Sequence, residues 1–236
     1  MRDQSCPFTP LSFLRLQSWL SPAFPVGSYS YSHGLEWAVE AGHVHDRESL
    51  IDWLEADLRY GSGRNEAFFF SNAWHCTVED NRAKLLEIAE LAAAFRSTAE
   101  FVLESSQQGT ACLMTLSQVW SDPLLVWLSE TLRERQVQPA MAVVLGIRSA
   151  RQHLPICLSL PAFLQSYTAN LVTAGIRLIP LGQTDGQLAI ATLEEAALLA
   201  GEEAKRVTTD DLGSAGVMVD LASIAHETQY TRLFRS

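Results

Sequence analysis

The sequence predicts an all-α fold, a single compact bundle-like domain of about nine or ten helices over residues 1–236. Three observations carry that expectation. Cap residues followed by apolar side chains at helical spacing recur along the chain. No segment sustains the two-residue alternation of a half-buried strand. The best strand candidates, residues 154–160 (LPICLSL) and 176–182 (IRLIPLG), are short, and each contains a proline that removes a ladder donor. The first reads as the approach to a helix, the second as a helix end running into a loop.

The elements follow in order. Asp46 precedes RESLIDWLEADLRYG, where Leu50, Trp53, Leu54, Leu58 and Tyr60 fall largely on one side, and Gly61 supplies a stop. Ser97 with Glu100 has capping-box spacing ahead of FVLESSQQGTACLMTLSQVW. Asp122-Pro123 puts a cap residue before proline at the first helical position, and Gln138-Pro139 opens AMAVVLGIRSARQ in the same way. Thr192 with Glu195 repeats the capping-box spacing before AALLAGEEAKRV. Irregularity is expected at Ser21 to Gly34, at Pro180 to Gly186 (where Gly182 reads as a left-handed helix stop) and at residues 226–236. Residues 1–10 and 226–236 read as flexible ends.

Composition bounds the function. Apolar residues make up 47% and charged residues 19%, which excludes intrinsic disorder and supplies a core without disulfide staples. The 27 acidic against 17 basic side chains, with Lys84 and Lys205 the only lysines, exclude a nucleic-acid binder. Cys6, Cys76, Cys112 and Cys157 are far apart and read as free thiols in a reducing compartment, the last three as small core hydrophobes. The opening MRDQSCPFTP lacks the apolar run of a signal peptide, and residues 152–176 carry too many prolines and polar groups for a membrane span. The expectation is a cytoplasmic protein without membrane contact.

The common catalytic motifs are missing. Neither Gly61-Ser-Gly63 nor the 182–186 stretch carries a phosphate-binding lysine, and no dinucleotide or nucleophile-elbow pattern follows a strand. His43-x-His45 and the adjacent His75-Cys76 lack the spacing that places two metal ligands on one helix face, so no resident metal is expected. Within the turn Gly27 and Gly34 supply backbone freedom and close approach, alongside Pro25. Tyr29, Ser30, Tyr31 and His33 read either as exposed polar contacts or as partners for nearby helix ends. In the tail, Arg232 and Arg235 offer donor forks to carboxylates, while Leu233 and Phe234 can fill a pocket, the composition of an interface. The acids of the late segment, Glu194, Glu195, Glu202, Glu203, Asp210 and Asp211, read as a solvated face. A net-acidic body with a basic, aromatic tail fits a protein that docks by its end.

Taken together, the irregular places resemble the urease accessory protein F family, UreF. LRLQSWLSPAFPVGSYSYSHGLEWAVEAG resembles its N-terminal motif through Pro25, Gly27, Ser30, His33, Gly34, Leu35 and Glu36. SQQGTACL, with Gly109, is similar to its central helix, and IRLIPLGQTDGQ to its Arg-Leu, Pro-Leu-Gly stretch through Arg177, Leu178, Pro180, Leu181, Gly182 and Gln183. HETQYTRLFRS resembles its tail through His226, Glu227, Gln229, Arg232, Leu233, Phe234, Arg235 and Ser236. The resemblance covers nearly the whole chain, most loosely at residues 78–103 and 210–223.

What the resemblance implies is a dimeric all-α scaffold that is not an enzyme and holds no permanent cofactor. Its partners would be UreD (also called UreH), the GTPase UreG and apo-urease, with nickel and GTP carried by partner proteins. The candidate partner-binding residues are Tyr230, Arg232, Leu233, Phe234, Arg235 and Ser236 of the tail, with Tyr31, His33 and Glu36 of the turn. Pro25, Gly27, Gly34, Gly109 and Gly182 are the structural motif positions. Two other readings stay open: a generic helical adaptor, and a helical small-molecule enzyme using Glu36, His33 and Tyr31 as an acid–base set.

Overall fold

The computed structural model describes residues 8–236, so most of the expected flexible N-terminus, and Cys6, lie outside the described residues. Eleven α-helices and two 3-10 turns follow one another, with no strand among the described residues. Several helix starts are dictated locally. Thr9 accepts from the Ser12 amide and opens α1 (Pro10–Leu20), which begins on proline. Asp46 and Ser49 form a reciprocal capping box at α3 (Arg47–Tyr60). Asn81 caps α5 (Arg82–Ala94), and Asp122 with Pro123 opens α7 (Pro123–Glu134) as the sequence predicts.

Other boundaries fall elsewhere. Helix α6 (Ala99–Val119) is capped by Thr98 rather than Ser97, because the Thr98 hydroxyl reaches the Phe101 amide. Helix α8 (Met141–Arg151) starts after Ala140, two residues beyond the expected Gln138. Helix α10 (Gln183–Ala204) begins well before Thr192, whose hydroxyl donates to the Leu188 carbonyl inside it. Gly182 is therefore the cap that opens α10, with φ −78°, and not a left-handed stop. Helix α2 spans Leu35–Glu40, α4 Ser62–Val78, α9 Ile156–Leu178 and α11 Val217–His226.

The larger core surrounds α4. Its Phe68, Phe69 and Phe70 are fully buried, with Phe70 stacked on Phe163 of α9 at 5.2 Å between centroids. Close approach is bought with small residues: a Cβ on Gly109 of α6 would lie 1.8 Å from the Pro139 carbonyl oxygen. A second, smaller core gathers Leu35 and Ala38 of α2, Leu50 and Leu54 of α3, Leu171 and Val172 of α9, Ala222 of α11 and Phe234. Cys76 and Cys112 are buried, but Cys157 is exposed, contrary to its expected place in the core. It sits in the first turn of α9.

The expected flexible tail is also corrected. Residues 227–236 leave α11 and run back over the second core, ending with Phe234 and Ser236 buried. No helix among the described residues is long and apolar enough to cross a membrane.

Candidate functional site

The turn of residues 27–34 is shaped by backbone angles that side chains resist. Gly27 and Gly34 lie in the left-handed region at φ 71° and 77°, as does His33 at φ 57°. A Cβ on Gly34 would stand 2.9 Å from the Ser223 amide nitrogen, so glycine lets α11 pack directly against the start of α2. That approach brings His226, the last residue of α11, beside Glu36 of α2 and Glu100 of α6.

Three carboxylates, all less than a tenth exposed, then organise the terminal segment. Glu36 accepts from the Leu233 amide at 2.6 Å, the Phe234 amide at 2.9 Å and His226 Nε2 at 3.0 Å. Glu100 accepts from the opposite ring nitrogen of His226 at 2.8 Å and from Arg232 at 2.7 Å. Glu104, one turn further along α6, takes the Ser236 hydroxyl at 2.9 Å, His33 Nδ1 at 3.1 Å and the Gln108 amide at 3.2 Å. Each ring nitrogen of His226 thus faces a carboxylate, Nε2 that of Glu36 and Nδ1 that of Glu100. Burial is the largest influence on Glu100 and raises its carboxyl, against the pull of His226 and Arg232.

Backbone pairing closes the segment. Arg235 donates its amide to the Ser30 carbonyl, and Ser32 donates its amide to the Ser236 carbonyl, both at 2.8 Å. The Arg177 guanidinium lies 4.3 Å from the Phe234 ring centroid and donates to the Tyr29 carbonyl, so one side chain clamps the tail to the turn. Gln107 of α6 accepts from both the Tyr31 hydroxyl and Arg235.

His33 is stacked on Phe101 at 3.9 Å between ring centroids and is buried. Burial by itself pushes its imidazole down, but the Glu104 carboxylate, with Asp57 and Glu66 beyond it, outweighs that effect and leaves it raised. Asp57, at the end of α3, caps the start of α4 through the Ser62 and Gly63 amides and accepts the Tyr167 hydroxyl. Its own carboxyl is raised, chiefly by burial.

The structure thus brings the two predicted motifs together but changes the role of several residues. Tyr31, His33 and Glu36 were candidates for partner contact, yet each is buried and bonded within the chain. Phe234 fills a pocket of its own chain, and Ser236 is enclosed beside Ser32. Tyr230, Arg232, Leu233 and Arg235 keep exposed surface. Nor do Tyr31, His33 and Glu36 converge on a cleft: their partners are Gln107, Glu104 and the tail amides respectively, which counts against the acid–base reading. Tyr29 is exposed.

Sequence reasoning missed Glu104 and Gln107, and treated Glu100 only as a cap. A signal existed: Glu100, Glu104 and Gln108 recur every fourth residue, a polar stripe along one face of a helix otherwise rich in apolar residues. Among the described residues no group of three or more His, Cys, Asp or Glu side chains is placed to hold a metal ion.

Fold and site together define an all-α domain whose buried charges fix its own terminal segment. The UreF family model matches residues 44–194. Over 225 residues the chain is 46% identical to urease accessory protein UreF of Rhodopseudomonas palustris strain BisB5, covering 95% of this chain and 91% of that one. It is 46% identical over 222 residues to the protein of that name from Granulibacter bethesdensis, covering 94% and 93%, and 45% identical to that of Bradyrhizobium diazoefficiens, covering 94% and 90%. The chain belongs to the UreF family.

Proposed function

We propose that this protein is a non-catalytic scaffold in urease maturation. With UreD (UreH) it recruits the GTPase UreG and regulates GTP-dependent insertion of nickel into apo-urease. It acts as a cytoplasmic homodimer, and nickel is cargo carried, like GTP, by partner proteins. The observation that carries this reading is the match to urease accessory proteins over 95% of the chain. The geometry supports a docking role for the tail in an altered form. Glu36 holds the segment directly, and Tyr31 and His33 bond the Gln107 and Glu104 that take Arg235 and Ser236. Phe234 and Ser236 are buried, and the outer side presents Tyr230, Arg232, Leu233 and Arg235 to a partner. Exposed aromatic, aliphatic and guanidinium groups on a pre-ordered segment lose less entropy on binding than the same groups on a mobile end.

The test is reconstitution from purified apo-urease, the two other accessory proteins, nickel, bicarbonate and GTP. Urease activity is expected to require this chain, and activation undiminished by its omission would overturn the reading. Within that assay, a Tyr230→Ala, Leu233→Ala double variant is expected to fold normally and to lose pull-down of the accessory partner.

A further inference from the structure

Residues 232–236 are held as an extended peptide would be. Their side chains alternate: Arg232, Phe234 and Ser236 reach Glu100, the second core and Glu104, while Leu233 and Arg235 between them stay exposed. The main chain is held separately. Glu36 accepts the Leu233 and Phe234 amides, the Ser30 carbonyl accepts the Arg235 amide, and the Ser32 amide donates to the Ser236 carbonyl. Backbone bonds for affinity and pockets for alternate side chains are the means by which folded domains bind extended peptides.

The groups that make this seat all lie elsewhere in the fold. Glu36 is on α2, Glu100 and Glu104 are on α6, Arg177 is on α9, and Ser30 and Ser32 belong to the turn. None of them lies on α11 or on the link of residues 227–231. That link is thin. Four of its five residues are exposed, and among the described residues its hydrogen bond to the body of the fold beyond α11 runs from Gln229 to Glu40. A seat complete without the link does not require its occupant to belong to the same molecule. The covalent connection contributes only a high local concentration.

We propose that this seat is a peptide-binding groove that takes Arg-x-Phe-x-Ser in trans, from the terminal segment of a second copy of the chain, with the chain's own segment as competitor. That segment is the sequence the geometry shows to fit. The scaffold role rests on the outward face of the segment and the groove on its inward face, so the two readings fail separately.

The experiment uses the full chain and a synthetic peptide of residues 230–236, labelled at its amino end and followed by fluorescence anisotropy. In a full-length Phe234→Ala chain the own segment competes poorly. Saturable binding of the peptide is expected there, about tenfold tighter than to the wild-type chain. The chain is net acidic and the peptide carries two arginines, so a scrambled peptide of the same composition measures attraction by charge alone. No saturable binding to the variant, equal affinity for variant and wild-type chains, or equal binding of the scrambled peptide would each overturn the proposal. Should Phe234→Ala fail to fold, Arg232→Ala loosens the own segment at Glu100 alone, and a gain of about threefold over wild type is expected; no gain would overturn the proposal.

Discussion

The loop of residues 205–216 and the terminal stretch of residues 227–236 both lack an apolar helical face, yet they are held in different ways. In the loop the bonds are local or few. Thr208 and Asp211 cap each other, Arg64 donates to the Asp211 carbonyl, and the Ala215 and Gly216 amides share the Tyr60 carbonyl. Asp211, whose carboxyl is lowered by the Thr208 amide and hydroxyl, is fully exposed. The terminal stretch instead delivers two amides, an arginine and a serine hydroxyl, beside His226 at the end of α11, to three buried carboxylates on α2 and α6. The difference teaches that irregular chain is fixed by where its donors find acceptors, and not by its own composition. Buried acceptors cost too much to leave empty, so they enforce one placement.

Removing an acceptor from the terminal network should have the largest effect. Glu36→Ala strands the Leu233 and Phe234 amides and one nitrogen of His226, and should cost about 3–5 kcal/mol in a denaturant titration. Phe234→Ala empties a place in the second core and removes the ring under Arg177; about 3 kcal/mol is expected by the same measurement. Arg232→Ala breaks a pair whose arginine is 37% exposed, so solvent screening limits the loss to about 1 kcal/mol. Asp211→Ala in the loop should leave the melting temperature unchanged within error. If it destabilises as much as Arg232→Ala, the contrast between the two segments fails.

Acidity offers a finer probe. His33 is raised in the folded state, so its contribution to stability is full below its ordinary value of 6.5 and is lost as pH climbs through the raised value. Stability should therefore slope downward above pH 6.5, and His33→Gln should flatten that part of the profile. An unchanged slope in the variant would show that the Glu104–His33 pair does not titrate in this way.

Much of the fold was legible because its determinants are local. Asp46, Asp122-Pro123 and the proline-broken strand candidates each act within a few residues. The false capping box at Thr192 shows the limit, since a hydroxyl inside a helix can bond the carbonyl four residues back and carry the same spacing. The motifs at both ends of the chain were also legible as motifs. Their mutual burial was not, because Glu36 lies 198 positions from Phe234 and Glu100 lies 132 from Arg232. An arginine-rich aromatic end has the same composition whether it seeks a partner protein or its own chain. The carboxylate stripe on α6 was the missing half of that reading.

The most direct test is amide hydrogen exchange at Leu233 and Phe234 in the isolated protein. Donation of both amides to Glu36 predicts protection comparable to that of the α11 amides, and loss of that protection in Glu36→Gln. Exchange at the rate of an unstructured chain in the wild-type protein would contradict the account, because the terminal segment would then not be part of the fold.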